Sequence, residues 1–133
     1  MLEINSVVGG IKISARFADK VNILTGYSGS GKSFLLSLIE RKYADSSLSV
    51  ATFDYNPATE NNVEEYIRRA SHNNLVLLNN ADLYMTSELF EILAKGECTV
   101  IAELKHAVVG CVENSGLYIV NFENDTIGVK KVR

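Results

Sequence analysis

Eight consecutive residues carry the clearest chemistry in this chain. Gly26, Tyr27, Ser28, Gly29, Ser30, Gly31, Lys32 and Ser33 fit the pattern GxxxxGK(S/T) at every fixed position. Glycines at these places let backbone amides turn inward and approach anionic oxygens with no side chain between them. Lys32 brings a compact positive charge suited to the β- and γ-phosphates of a nucleoside triphosphate. The Ser33 hydroxyl suits the Mg2+ that bridges those phosphates. A helix beginning at this point adds free N–H groups and the positive end of its dipole. Residues 26–33 therefore read as a binding segment for ATP and Mg2+, with Lys32 also acting on the transferring phosphate and Ser33 ligating the metal.

Such a loop works only between a strand and a helix, and the flanking residues supply both. Val21 to Thr25 is a short, almost wholly apolar run, as expected of a strand covered on both faces. From Lys32 to about Tyr43 the period changes, and Phe34, Leu35, Leu38 and Ile39 share one helical face. Upstream, Leu2 to Val8 and Ile11 to Phe17 form a hairpin around Gly9-Gly10. Downstream, Ser49 to Phe53, Leu75 to Leu78 and Thr99 to Leu104 read as strands. Asn62 to Ala70 and Ser87 to Lys95 read as helices, the second stopped by Gly96. Leu117 to Phe122 and Thr126 to Val132 close the chain as a second hairpin. Strands alternating with helices predict an α/β fold: a mainly parallel sheet flanked by helices, with antiparallel hairpins at the N- and C-terminal ends. No linker or repeat divides residues 1–133, so a single domain is expected.

With this loop between a strand and a helix, the sequence resembles the P-loop NTPase superfamily over most of the chain; the family's phosphate loop is the Walker A motif. The hairpin leading into Val21-Asn22-Ile23-Leu24-Thr25-Gly26 is similar to the entry of ABC-type, chromosome-maintenance and RecF-like ATPases. That resemblance implies a second apolar strand ending in an acid that holds magnesium through water, often followed by a catalytic glutamate. The matching strand here, Leu75 to Leu78, ends in Asn79-Asn80. Asparagine accepts a hydrogen bond but carries no charge and is no general base. Asn79 is thus a neutral candidate at the metal. Asp82, three residues on, supplies the charge if the loop curls back, or else caps a turn. At the end of the fourth strand, Glu103 or His106 would sense the γ-phosphate or place water, Glu103 being the catalytic candidate. Binding with slow or partner-dependent hydrolysis follows.

Two other readings compete. Asp54, after the second strand, suits a small-molecule kinase that activates an acceptor hydroxyl, although residues 98–133 hold only Arg133 for a lid. The Asn79-Asn80 pair suits a regulatory module that binds nucleotide without cleaving it. Arg68 and Arg69 could reach a neighbouring subunit's phosphates, and an exposed helical face explains them better. A homo-oligomer or a protein partner completing the site is expected on the same grounds.

A formal charge of −3 gives no field favouring nucleic acid or an anionic membrane. Cys98 and Cys111 lack metal-ligand spacing. With no signal-like start and no apolar run of the ~20 residues a bilayer requires, a cytoplasmic protein without membrane insertion is expected.

Overall fold

A computed structural model describes residues 2–27, 29–105 and 115–132 of the chain. Eight strands form: β1 (Leu2–Val8), β2 (Ile11–Phe17), β3 (Val21–Thr25), β4 (Ser49–Phe53), β5 (Asn74–Leu78), β6 (Thr99–Glu103), β7 (Gly116–Glu123) and β8 (Thr126–Lys131). Among the described residues three α-helices accompany them: α1 (Lys32–Tyr43), α2 (Thr59–Arg69) and α3 (Ser87–Lys95), with a 3-10 turn at Ala81–Leu83. Helix α2 begins three residues before the first residue that sequence periodicity marks. The Thr59 hydroxyl accepts from the Asn56 amide and donates to the Asp54 carbonyl, fixing the start of the helix.

The expectation of a mainly parallel sheet flanked by helices is corrected. All eight strands belong to one mixed, curled sheet in the order β1-β2-β8-β7-β3-β6-β5-β4. Strand residues outnumber helical ones among the described residues. Strands β1 and β2 pair antiparallel, as do β7 and β8. The two hairpins join through a parallel β2–β8 contact, with Lys12 opposite Thr126 and Ser14 opposite Gly128. Local periodicity types each strand but says nothing about a lateral partner more than 100 residues away. That pairing merges two terminal hairpins into the sheet.

Burial explains why helices cover only part of this sheet. In β2, Ile13, Ala15 and Phe17 are buried while Lys12, Ser14 and Arg16 are exposed, so one face meets solvent. Strand β5 is instead buried on both faces. Leu75 and Leu77 pack with Leu35, Leu36, Leu38 and Ile39 of α1 in the core that also holds Ile4, Ile13, Phe17 and Ile127. Val76 and Leu78 pack on the other side with Val63 and Ile67 of α2 and Leu89, Phe90 and Leu93 of α3. Helix α1 therefore lies in the concave face of the curled sheet. Each fully buried leucine there stabilises the fold by about 1.5–3 kcal/mol relative to exposure. This anchoring fixes the start of α1 against the end of β3. No helix among the described residues is long and apolar enough to cross a membrane.

Candidate functional site

Strands β7, β3, β6, β5 and β4 run parallel. From β3 the chain passes through α1 to β4, beyond β6 and β5, whereas β7 lies on the other side of β3. The order of connections thus reverses at β3, and such a reversal opens a crevice at the carboxyl ends of the strands. Gly26, Tyr27, Gly29, Ser30 and Gly31 sit at that place.

Sterics require the glycines of this turn. Gly26, Gly29 and Gly31 have φ of 153°, 85° and 98°. A Cβ on Gly26 would lie 2.6 Å from the Val120 carbonyl oxygen, and one on Gly31 would lie 2.9 Å from Ile127 Cδ1. The Ser30 amide donates to the Tyr27 carbonyl at 3.1 Å and closes the turn. Gly31 caps α1 with no side-chain hydrogen bond, and the first turn holds no acidic residue. Its leading N–H groups therefore keep their capacity for an anion. Ser28 lies outside the described residues.

Lys32 is buried, at 8% exposure. Its ammonium donates to the carbonyls of Gly26 and Tyr27 at 2.7 and 3.1 Å and to Ser30 Oγ at 3.5 Å, so the charge sits inside the curve of the loop. Tyr27 is pinned to β7: its hydroxyl donates to the Phe122 carbonyl at 2.9 Å and accepts from the Phe122 amide at 3.3 Å.

Ser33 and Glu103 meet. The serine hydroxyl donates to Glu103 Oε2 at 2.8 Å, and the Asn80 backbone amide donates to Oε1 at 3.3 Å. Glu103 is only 4% exposed, placed by the β3–β6 register that sets it opposite Leu24. Asn80 holds a left-handed conformation, φ 52° and ψ 42°, which asparagine tolerates better than most residues. Its side-chain amide donates to Asp54 Oδ1 at 3.0 Å. Behind it, the Tyr84 hydroxyl donates to the Asn79 carbonyl at 2.6 Å. Burial, then the charges of Asp54 and Glu103, hold that phenol well above its ordinary pKa, so it remains a donor.

These groups surround a cleft of about 560 Å3, lined by Gly26, Tyr27, Gly29, Gly31, Lys32, Ser33, Phe34, Asn80, Glu103 and Lys105. That volume falls within the range of small-molecule sites. Two residues expected at the metal are placed elsewhere. The Asp82 carboxylate accepts from the Lys105 amide at 2.6 Å and borders a separate recess with Asn80, Leu83 and Lys105. Asn79 takes part through its backbone, its N–H donating to the Phe53 carbonyl at 2.8 Å, and does not line the cleft. Asp54 does not line it either. Arg68 is paired with Glu64 at 2.7 Å on the exposed face of α2. His106, Cys111 and Arg133 lie outside the described residues. Lys105 is a wall residue that sequence reasoning left unassigned, its only local signal being its place just beyond β6, whereas Asn80 belongs to the neutral pair already read at the end of β5.

Among the described residues no group of three or more His, Cys, Asp or Glu side chains is positioned to hold a metal. The Ser33–Glu103 pair offers one hydroxyl and one carboxylate. That set fits magnesium, which keeps several waters and takes one or two carboxylates plus substrate phosphates.

No protein-family model matches the chain, and a search of curated proteins finds no match.

Proposed function

We propose that this chain is a P-loop nucleotide-binding protein that holds the phosphates of ATP, with Mg2+, in the cleft at the end of β3. One observation carries this reading. The loop's three positive-φ glycines, the uncapped start of α1, the Lys32 ammonium and the Ser33–Glu103 pair converge on a single cleft. Backbone amides and Lys32 receive the phosphate oxygens; Lys32 exchanges its carbonyl contacts for stronger, charge-assisted ones. Ser33 and Glu103 are the residues that would hold magnesium, which would supply charge neutralisation at the phosphates.

Turnover by the isolated chain is slow. Glu103 already accepts two hydrogen bonds, and no carboxylate stands at Asn79 or Asn80 to take a proton from water. A second copy or a partner protein would therefore complete the catalytic set. Calorimetric titration of the native chain with ATP, with and without Mg2+, followed by phosphate release on the same sample, tests this. Micromolar binding with little phosphate release is expected. No binding to ATP, ADP or GTP in either condition would refute the proposal.

A further inference from the structure

Beside the loop lies a smaller pocket of about 190 Å3, lined by Ile11, Gly29, Gly31, Phe34, Phe122 and Ile127. We propose that this pocket receives the base of the nucleotide, stacked on Phe34, and that it accepts adenine and guanine alike. The inference rests on the triphosphate reading of the neighbouring cleft.

Continuity identifies the occupant. Gly29, Gly31 and Phe34 line both the pocket and the phosphate cleft, so a molecule whose phosphates lie along the loop has its other end at these apolar walls. Size agrees, since a cavity of roughly 150 Å3 holds a benzene ring. Phe34 is 39% exposed at the start of α1, so its ring is accessible to a ligand lying along the loop. Tyr27 is the other exposed ring near the loop. Both of its hydroxyl bonds tie it to the Phe122 backbone, and it lines the phosphate cleft but not this pocket.

The walls also set what the pocket can distinguish. Every described side chain lining it is a hydrocarbon, so none reads the donors and acceptors that separate adenine from guanine. Strong rejection of an analogue arises where a site's own polar groups would be left unpaired. Stacking on an aromatic face tolerates any base and favours the larger purines.

The test compares ATP, GTP, CTP and inorganic tripolyphosphate, each with Mg2+, by calorimetry on the native chain and on Phe34→Ala and Phe34→Leu. ATP and GTP should bind within about fivefold of each other. Tripolyphosphate should bind about tenfold or more weakly than ATP. Phe34→Ala should erase most of that advantage, bringing ATP close to tripolyphosphate on the same variant, whose native-like circular-dichroism spectrum shows that it is folded. Phe34→Leu should lose part of it.

Equal affinity of the native chain for ATP and tripolyphosphate would overturn the base pocket and leave the phosphate loop standing. So would a loss of ATP affinity on Tyr27→Ala with none on Phe34→Ala. A large preference for ATP over GTP would overturn the claim of tolerance. Failure of every ligand, tripolyphosphate included, would sink the phosphate reading and the pocket with it.

Discussion

Strand β3 has a polar cluster at each end, and the two are built differently. Before its first residue, the Asp19 carboxylate accepts from the Tyr118 hydroxyl at 2.6 Å and pairs with Lys131 at 2.9 Å. Asn22 donates to the carbonyls of Asp19 and Val100 at 2.8 and 3.0 Å. After its last residue come Lys32, Ser33, Asn80 and Glu103. Among the described residues no buried side-chain nitrogen or oxygen in either cluster lacks a partner. Hydrogen bonding alone therefore does not separate scaffold from site. What separates them is what the groups enclose: at the start of β3 they close on one another, and at its end they border a cleft beside a helix N-terminus.

Glycine shows the same contrast. Gly116 is required because a Cβ there would sit 2.0 Å from Asp19 Oδ2, a packing constraint. Gly26 and Gly31 add to such contacts a positive φ, which Gly116 lacks; Gly29 has the positive φ alone, and together the three bend the loop.

The contrast breaks most visibly at Lys32. Lys32→Ala should weaken ATP binding on the order of 100-fold, because two or more charge-assisted bonds are lost. It should also cost about 1 kcal/mol of stability, since the ammonium caps the Gly26 and Tyr27 carbonyls. Calorimetry and urea unfolding on one preparation would separate the two effects. An unchanged ATP affinity would return Lys32 to the scaffold.

Asp19→Ala should do the reverse. It leaves the Tyr118 hydroxyl and Lys131 without their acceptor and should lower the unfolding free energy by about 1–2 kcal/mol. ATP affinity should stay within about twofold, because the two clusters do not touch. A matching loss of affinity would mean that the ends of β3 are coupled.

The pH dependence of stability sharpens the same point. Burial pushes the Asp19 carboxyl up, but the Tyr118 hydrogen bond and the Lys131 charge outweigh it and hold the group below its ordinary 3.8. A folded-state pKa below the unfolded one gives stability that is present above about pH 4 and lost as pH falls through the folded value. Tyr118 has the opposite sign. Burial, then its bond to Asp19, pushes the phenol from 10.0 up to about 12. Its contribution is complete below pH 10 and is lost as pH rises from 10 to 12. Asp19→Asn should flatten the acid limb in urea midpoints measured from pH 2.5 to 6, and Tyr118→Phe the alkaline limb from pH 9 to 12. Unchanged limbs would show that other groups set them.

The smallest effect is expected at Asn79. Its side chain does not line the cleft, so Asn79→Asp should leave the magnesium response of ATP binding unchanged within about twofold. A marked gain would put the end of β5, not β6, at the metal.

The two ends of β3 also differ in how far they could be read from the sequence. The strand, turn and helix from Val21 to Tyr43 were legible because apolar run, glycines and helical period are all local signals. Asp19 and Tyr118 lie 99 positions apart, and nothing in the runs around them marks a hydrogen bond. Glu103 was an ambiguous candidate beside His106 until the register opposite Leu24 brought its carboxylate to Ser33. The Asp82 carboxylate instead accepts from the Lys105 amide and borders a separate recess, a contact that no local pattern announced. The overall architecture was misjudged for a similar reason. The run Ile11 to Phe17 announced one strand of a hairpin, but its parallel partner β8 could not be found by local pattern.

The most direct measurement is the magnesium dependence of ATP affinity in Glu103→Gln beside the native chain. Glutamine keeps the shape and one acceptor oxygen while removing the charge. Magnesium should tighten ATP binding by the native chain about tenfold or more, and the variant should keep the metal-free affinity while losing most of that gain. An equal magnesium gain in both proteins would contradict the assignment of Glu103, and of the end of β6, to the metal side of the site.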